Sequence, residues 1–252
     1  MNDTADRAAI AADDLQVELR GADLWITVHR AQKANALTVG LMERVTAAIV
    51  AGGQDAAVRA VLLTGAGERV FCAGVDVREK PEDGDTHRHR ERRSFALAAL
   101  QDAVMDTPKA VIAVLNGAAI GGGAMLALLA DACVAVEGAE LSLPEIDLGI
   151  ATFSGANILE VIGGRALALD LIQSGRRMPA GEAFARGLVG KVAERGELVA
   201  AATATAERLG SKNARAFEDN KRWMNRAVKA ALAEAREEHA RHRTNAAAHS
   251  GS

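Results

Sequence analysis

Short apolar runs alternate along the chain with longer segments in which apolar residues recur at helical spacing. Leu15–Leu19 and Leu24–His29 flank a Gly21-Ala22-Asp23 turn, and this arrangement predicts a β-hairpin. Further apolar runs that are too short for helices predict strands at Arg59–Thr64, Val70–Ala73, Ala110–Leu115, Cys133–Val136 and Leu141–Leu143.

Helical spacing fills the segments between and after these strands. Thr38 is predicted to cap a helix that continues to Val50, and Ser154 to cap another helix. Further helices are predicted at His87–Met105, Ala124–Ala130 and Ala214–Arg243. Because pairs of strands followed by a helix recur, the pattern predicts an α/β fold.

The same pattern divides the chain into three parts. Residues 1–14 are predicted to be a disordered tail, 15–192 the α/β core, and 193–252 a helical C-terminal region whose end frays after Arg243. The C-terminal helices carry few large apolar residues. We therefore expect them to pack on a partner subunit rather than on their own core.

Composition narrows the class of protein. The formal charge of −3 and an aromatic content of 3% give no basis for binding nucleic acid. Cys72 and Cys133 are too few and too far apart for a disulfide framework, and they indicate reduced thiols. Neither a secretory signal nor an uninterrupted membrane-spanning run is recognisable, so a cytoplasmic protein is expected.

Two glycine-containing junctions at strand ends are the strongest candidates for chemistry. The first is Phe71-Cys72-Ala73-Gly74-Val75-Asp76-Val77, and the second is Asn116-Gly117-Ala118-Ala119-Ile120-Gly121-Gly122-Gly123. Glycines let a ligand approach the backbone, and two such loops side by side can aim two N–H donors at one oxygen. The spacing matches neither a dinucleotide-binding loop nor a P-loop. Tight packing of a helix on a strand is the alternative explanation for the glycines.

These two junctions resemble the signature of the crotonase (enoyl-CoA hydratase/isomerase) superfamily. Supporting similarities are His29-Arg30 with Asn35-Ala36-Leu37, the stretch from Leu143 to Ile150, and Gly187-Leu188-Val189. The resemblance covers about Leu15 to Arg226. It implies a crotonase-like spiral of ββα units, an acyl-coenzyme A substrate, and assembly as a trimer or a pair of trimers.

The resemblance also implies the site residues. The backbone N–H groups of Val75 and Gly122 are the expected oxyanion donors, and Glu145 the expected acid/base. Residues expected to line the substrate site are Lys33, Ala34, Ala36, Ala73, Gly74, Asp76, Val77, Gly121, Met125 and Phe153. Lys221 is a candidate for a coenzyme A phosphate. No metal or redox cofactor is implied beyond the coenzyme A of the substrate.

One departure from the family pattern bears on the reaction. Hydratases of this family use two glutamates, and the position of the first is Met125 here, whereas the second is present as Glu145. This pattern resembles more closely the isomerases that shuttle a proton with one glutamate. Asp147 would point the same way as Glu145 on extended backbone, and a surface or capping role is the alternative for it. A binding protein without activity, a hydrolase and a lyase remain open on the same site.

The most charged stretch runs from Thr86 to Arg93. The spacing of His87 and His89 is poor for a shared metal on a helix. A solvated helix start and a basic rim that attracts the phosphates of coenzyme A are the two interpretations. Cys72 is predicted to be a small packing residue rather than a reactive thiol.

Overall fold

The structure is a computed structural model that describes residues 14–81 and 84–250, with side chains described to His242. The predicted disordered tail lies outside this range except for Asp14. Two sheets form the centre of the molecule. Their strands are β1 (Leu15–Arg20), β2 (Asp23–Val28), β3 (Ala60–Gly65), β4 (Val70–Cys72), β5 (Ala110–Leu115), β6 (Ala118–Ile120), β7 (Ala132–Val136), β8 (Glu140–Ser142), β9 (Met178–Pro179) and β10 (Lys191–Ala193).

The larger sheet has the strand order β1-β2-β3-β5-β7-β10. Only its first pair, the predicted hairpin of β1 and β2, is antiparallel, and the remaining pairs are parallel. All six residues of β5 are buried. An uninterrupted apolar run of this kind is typical of a parallel strand covered on both faces.

The smaller sheet has the order β4-β6-β8-β9, in which β4, β6 and β8 are parallel and β9 is antiparallel. Helices connect and cover the two sheets. They are α1 (Val39–Gln54), α2 (Thr86–Asp106), α3 (Gly122–Leu129), α4 (Phe153–Gly163), α5 (Arg165–Ser174), α6 (Ala180–Ala185), α7 (Leu198–Gly210) and α8 (Ala214–Ser250), with 3₁₀ turns at Ala31–Lys33, Pro144–Leu148 and Arg195–Glu197. The predicted α/β class is confirmed.

Two predictions about helix ends have opposite outcomes. Thr38 caps α1 as predicted, since its hydroxyl accepts from the Leu41 N–H at 3.2 Å. Ser154 is not a cap, because α4 begins at Phe153 and Thr152 holds the cap position. The helix that was predicted to end at Arg243 continues to Ser250.

The C-terminal helix packs on its own chain. Helix α8 lies against α4 and α2, and it buries Val228, Leu232 and Ala235. The expectation that this helix would leave its own core for a partner is therefore wrong for this stretch. A few apolar residues were enough because they share one face of the helix at positions three or four apart. Whether the region also contacts another subunit stays a prediction.

Candidate active site

Three segments of the chain leave the smaller sheet side by side. Strands β4, β6 and β8 are parallel neighbours, so their carboxyl ends lie at one edge. Strand β4 leads into residues 73–77, β6 leads into Gly121 and α3, and β8 leads into the turn that carries Glu145. The Gly121 N–H donates to the Ser142 carbonyl oxygen at 2.8 Å and ties two of the segments together. The carboxyl edge of parallel strands is where such sheets place ligands.

The first loop is held from the side by residues 34–37. Leu37 donates to the Gly74 carbonyl at 2.8 Å, and Asp76 donates to the Leu37 carbonyl at 2.8 Å. These bonds use the groups on either side of Val75. Since successive N–H groups of extended backbone point in opposite directions, the Val75 N–H faces away from Leu37.

The Val75 and Gly122 N–H groups lie in contacting backbone segments. A Cβ added to Gly122 would lie 3.6 Å from the Val75 nitrogen, and a Cβ added to Gly74 only 2.8 Å from the Gly122 nitrogen. Within the part of the chain that the structure describes, neither N–H has a hydrogen-bond acceptor. An oxyanion hole requires two such neighbouring donors.

Glycine is required at this contact for two physical reasons. Gly121 has φ +53° and ψ −123°, a backbone conformation essentially restricted to glycine. A side chain on Gly123 would overlap the carbonyl group of Cys72, so α3 approaches the end of β4 only because Gly123 has none. Helix α3 therefore begins directly beside the first loop, and its free N-terminal amides and dipole favour a developing negative charge.

Glu145 lies next to this pair of donors. A Cβ added to Gly121 would be 3.1 Å from the Glu145 Oε1 atom, and the Oε2 atom is buried without a hydrogen-bond partner. Burial raises the pKa of Glu145 above its ordinary value, opposed in part by a hydrogen bond from its own backbone N–H. A carboxyl group with a raised pKa and a free oxygen is suited to take up and return a proton.

Asp147 does not pair with Glu145. The segment Pro144–Leu148 is a 3₁₀ turn and not extended backbone, so side chains two residues apart diverge. Asp147 is exposed, and its carboxylate lies near Gly175, where an added Cβ would be 3.0 Å from Oδ2. The surface alternative for Asp147 is the one that the structure supports.

Met125 lies one turn along α3 from Gly122 and is 5% exposed. Residues three and four apart share a helix face, so Met125 is on the face of Gly121 and Gly122. Its sulfur accepts from the Gln101 amide at 3.7 Å, and its methyl group would be 3.0 Å from a Cβ on Gly155. An apolar side chain therefore occupies the position where the family resemblance places a first glutamate.

Helix α4, which Met125 approaches at Gly155, packs against α8. The ring of Phe153 meets the His239 ring edge-on, with centroids 4.8 Å apart. Gln101 and His239 were not predicted as site residues. Gln101 is a polar residue among apolar ones in the second half of α2, which is a weak sequence signal. The approach of α8 to Phe153 has no local signal.

The predicted substrate-lining residues from the early part of the chain do come together. Ala73 donates to the Ala34 carbonyl at 3.0 Å, and Ala34, Ala36 and Ala73 are half-buried beside the first loop. Lys33 is exposed at the end of the 3₁₀ turn that precedes them.

Asp76 and Val77 were also predicted to line the substrate site, and the structure gives them different surroundings. Val77 is 60% exposed. The Asp76 carboxylate pairs with Arg30 at 3.3 Å. Asp76 therefore fixes the first loop to the segment that precedes residues 34–37.

Lys221 and His89 occupy different environments from those expected. Lys221 is buried, and its ammonium group contacts the Asp131 carboxylate at 2.6 Å and donates to the Lys109 carbonyl at 3.0 Å. These partners account for the charge without a phosphate. His89 is buried on α2 and lies 3.5 Å from the Glu79 carboxylate, so that part of the charged stretch is not solvated.

The remaining candidates for chemistry do not add to the site. Cys72 is buried, and burial raises its pKa to about 12, which makes it an unreactive packing residue as predicted.

Among the residues that the structure describes, no group of three or more His, Cys, Asp or Glu side chains could hold a metal ion. None of the helices in that same part is long and apolar enough to cross a membrane. A groove of about 380 Å³ lined by β7, β10 and α7 contains none of the site residues.

Comparisons with known proteins identify one family over most of the chain. The family model described as enoyl-CoA hydratase/isomerase matches residues 21–251. A probable enoyl-CoA hydratase of Rhizobium meliloti is 35% identical over 229 residues, which are 88% of this chain and 85% of that protein. A short-chain-enoyl-CoA hydratase of Clostridium acetobutylicum is 34% identical over 217 residues, covering 84% of this chain and 81% of its own length.

Solved structures show the same fold. The enoyl-CoA hydratase of Bacillus anthracis superimposes with a TM-score of 0.78 at 30% identity, covering 89% of this chain and 90% of that one. For carnitinyl-CoA hydratase of Mycobacterium avium the TM-score is 0.79 at 31% identity, with 92% and 90% covered. The family match spans nearly the whole chain, and the resemblance noted in the sequence is confirmed: this chain belongs to the enoyl-CoA hydratase/isomerase (crotonase) superfamily.

Proposed function

We propose that this protein transfers a proton between carbon atoms of an enoyl-CoA. The proposed reaction moves the double bond from the 3 position to the 2 position. The thioester oxygen accepts hydrogen bonds from the Val75 and Gly122 N–H groups. The Glu145 carboxylate removes a proton from C2, and the negative charge of the resulting dienolate spreads onto that oxygen. The proton then returns from Glu145 to C4, so that no atom is gained or lost.

The observation that carries this proposal is the position of the Glu145 carboxyl group. Its Oε1 atom lies beside Gly121, and its Oε2 atom is buried and unpartnered. The residue after Gly121, Gly122, supplies one of the two free N–H groups. A base beside an oxyanion hole can act on the carbonyl and on the carbon next to it in one bound substrate.

Met125 favours isomerisation over hydration. Hydration of a double bond requires a water molecule to be held and deprotonated as well as a proton to be delivered. The Met125 thioether is a weak acceptor without charge, so it cannot hold and deprotonate water as a second carboxylate would. Hydration by Glu145 alone is the second candidate, supported by relatives named as hydratases. An inert acyl-CoA-binding protein, and a hydrolase or lyase using the same oxyanion hole, are the contrasting alternatives.

Incubation of the purified chain with 3-enoyl- and 2-enoyl-CoA of several chain lengths, with products identified by NMR, tests the proposal. We expect 3-enoyl-CoA to be converted to 2-enoyl-CoA, and Glu145→Gln to lower the rate by about 100-fold or more. Asp147→Asn is the matched control and should retain activity. Binding without turnover, equal in the wild type and Glu145→Gln, would refute a catalytic role. Hydration faster than isomerisation, and lost in Glu145→Gln, would show that one carboxylate suffices to add water.

The proposal extends to partners and setting. The substrate brings its own coenzyme A, and the reaction as written needs no other cofactor. We propose that the chain acts in fatty acid metabolism in the cytoplasm, as a homotrimer or a dimer of trimers, without a nucleic acid or membrane partner.

A further inference from the structure

The guanidinium group of Arg30 connects the first loop of the site to the segment beside it. Its Nη1 atom donates to the Ala36 carbonyl oxygen and, at 3.3 Å, to the Asp76 carboxylate, which also accepts from Nη2 at 3.4 Å. The Nε atom contacts the Asp14 carboxylate at 3.0 Å. The Arg30 side chain is 12% exposed, and each of its three nitrogens lies beside a protein oxygen. A planar fork of five donors reaches acceptors in several directions at once, which one ammonium group cannot match.

The segment that Arg30 contacts has a strained backbone. Ala34 and Asn35 both have φ +52°, in the left-handed region that residues other than glycine rarely adopt. The Arg30 N–H donates to the Asn35 Oδ1 atom at 3.0 Å, and the Arg30 carbonyl accepts from the Asn35 N–H at 2.9 Å. The buried Asn35 amide also donates to the first carbonyl of β4 at 2.7 Å. Such a conformation persists only where its surroundings hold it, so the contacts of Arg30 help to fix the course of residues 34–37.

The same segment sets the position of the Val75 N–H group. Leu37 donates to the Gly74 carbonyl and accepts from the Asp76 N–H, both at 2.8 Å. These bonds hold the residues on either side of Val75. Arg30 adds a cross-link between the two segments, since it binds the carbonyl of residue 36 and the carboxylate of residue 76. A shift of one segment against the other would therefore change the direction of the Val75 N–H.

We infer that Arg30 is a positioning residue for the oxyanion hole, because its guanidinium group holds the two backbone segments whose spacing aims the Val75 N–H. This inference rests on the proposed function, since it assumes that the thioester oxygen accepts from that N–H. Arg30 acts through the first loop, as its own nitrogens are engaged by protein oxygens. Oxyanion donors stabilise a transition state when they are aimed at the developing charge, so their orientation affects kcat more than it affects substrate binding.

Arg30→Lys tests the inference, because it keeps the positive charge but replaces the fork by one ammonium group. Binding of butanoyl-CoA, labelled with ¹³C at the thioester carbonyl, to the wild type should lower the carbonyl stretching frequency. Arg30→Lys should lose about half of this infrared shift or more, since one of the two donors no longer points at the oxygen. In turnover of 3-enoyl-CoA, kcat should fall about 10- to 100-fold while KM changes less than about threefold.

The matched control is Arg59→Lys, which changes another arginine in an ion pair with an aspartate. Arg59 binds the buried Asp23 carboxylate at 2.9 and 3.0 Å, and Asp23 begins β2 whereas Arg30 follows its end. Arg59→Lys should lower stability and leave the infrared shift and kcat intact. The comparison therefore separates the aiming of a donor from a general loss of stability.

A full infrared shift in folded Arg30→Lys overturns the inference and leaves the proposed function standing, as does an equal loss of the shift in Arg59→Lys. If Arg30→Lys does not fold, Asp76→Asn provides the test, because it removes the charge that Arg30 binds and leaves the backbone bonds of the first loop. We expect a partial loss of the shift in Asp76→Asn, and a full shift there overturns the inference. If the wild type itself shows no shift, the proposed function fails together with the inference.

Discussion

The surroundings of Glu145 disfavour the charged form of its carboxyl group. Burial raises its pKa, and the one favourable contribution comes from its own backbone N–H. The folded protein therefore binds the Glu145 proton more tightly than the unfolded chain does. At a pH above the folded-state pKa, deprotonating this group costs folding free energy, and this cost disappears as pH falls below the ordinary value of 4.5.

Glu145→Gln is therefore expected to stabilise the protein while it removes activity. At pH 8 the variant should have a higher Tm than the wild type, because a neutral amide replaces a desolvated charge. The difference should shrink as pH falls toward 4.5. Thermal unfolding measured across this pH range provides the check. A lower Tm for the variant at pH 8 would mean that the carboxylate has a stabilising partner.

The raised pKa also sets the pH dependence of turnover. A base must be deprotonated to act, so kcat/KM should fall on the acid side with a midpoint above 4.5. Initial rates of 3-enoyl-CoA isomerisation from pH 4 to pH 9 measure this midpoint. A midpoint at or below the ordinary glutamate value would contradict the buried, unpaired state of Glu145.

A substitution at Met125 should change which of the two reactions the site favours. In Met125→Glu, a second carboxylate on the same face of α3 as Gly122 should raise the ratio of hydration to isomerisation about tenfold or more. Met125→Gln is the matched control, because it introduces polarity of similar size without a base. Product ratios from 2-enoyl- and 3-enoyl-CoA report the change. An equal rise in both variants would show that polarity, and not a second base, limits hydration.

At the residue scale, the sequence was informative where local motifs determine the backbone. Val75 and Gly122 follow strand ends within recognisable glycine motifs, and the structure brings them together. Asp147 was ambiguous because its orientation depends on whether the chain is extended or a 3₁₀ turn. Lys221 and Gln101 were misjudged or missed because their burial is decided by which helix packs over them, and one chain position carries no signal of that.

At the scale of elements, the C-terminal helix α8 is tied to the larger sheet by an ion pair whose ammonium group is buried. Asp131, which directly precedes β7, accepts from the Val111 N–H of β5 at 2.8 Å and from Lys221 of α8 at 2.6 Å. Burial raises the pKa of Asp131 and lowers that of Lys221, so each group would tend to lose its charge without the other. The pair thus connects β5 and β7 to α8.

Asp131→Ala should lower the free energy of unfolding by about 3–5 kcal/mol, since it leaves a buried ammonium group without its partner. The matched control is Asp219→Ala, which breaks an exposed pair with Arg222 on the same helix and should cost about 0.5 kcal/mol or less. Urea unfolding of the three proteins gives the comparison. Equal losses of unfolding free energy in the two variants would show that the Asp131–Lys221 pair does not hold α8 in place.

The apolar pattern predicted the positions of strands more accurately than it predicted which strands pair. Strand β5 was predicted at Ala110–Leu115 and lies there, and the hairpin of β1 and β2 formed as expected. Strand β6 was missed, because its three residues lie inside the glycine motif and contain no strand-forming run. Its pairing with β4 and β8, which aligns the site, depends on residues far apart in sequence.

At the scale of the whole molecule, apolar side chains remain exposed on the turn that carries Glu145. Ile146, Leu148 and Ile150 are 41%, 66% and 48% exposed. Contiguous apolar groups on a surface are typical of interfaces. The proposed trimer or pair of trimers offers a partner surface for them beside the site.

Light scattering on the purified chain should therefore show a trimer or a hexamer, and Leu148→Lys should shift it toward smaller species. Val17→Lys places the same charge at a comparably exposed position, 47% exposed on β1, and should leave the assembly unchanged. A monomeric wild type at micromolar concentration would remove the assembly from the account. An assembly that is unaffected by Leu148→Lys would place the interface elsewhere.

The whole arrangement serves one proposed act of binding, in which two backbone N–H groups at adjoining strand ends hold the oxygen of a thioester. Isotope-edited infrared spectroscopy of butanoyl-CoA labelled with ¹³C at the thioester carbonyl tests this most directly. Two donors in a water-excluded site withdraw electron density from the carbonyl more strongly than water does. We expect a carbonyl stretch at lower frequency for the bound thioester than for the free one in water. A bound stretch at or above the frequency of the free thioester would contradict it.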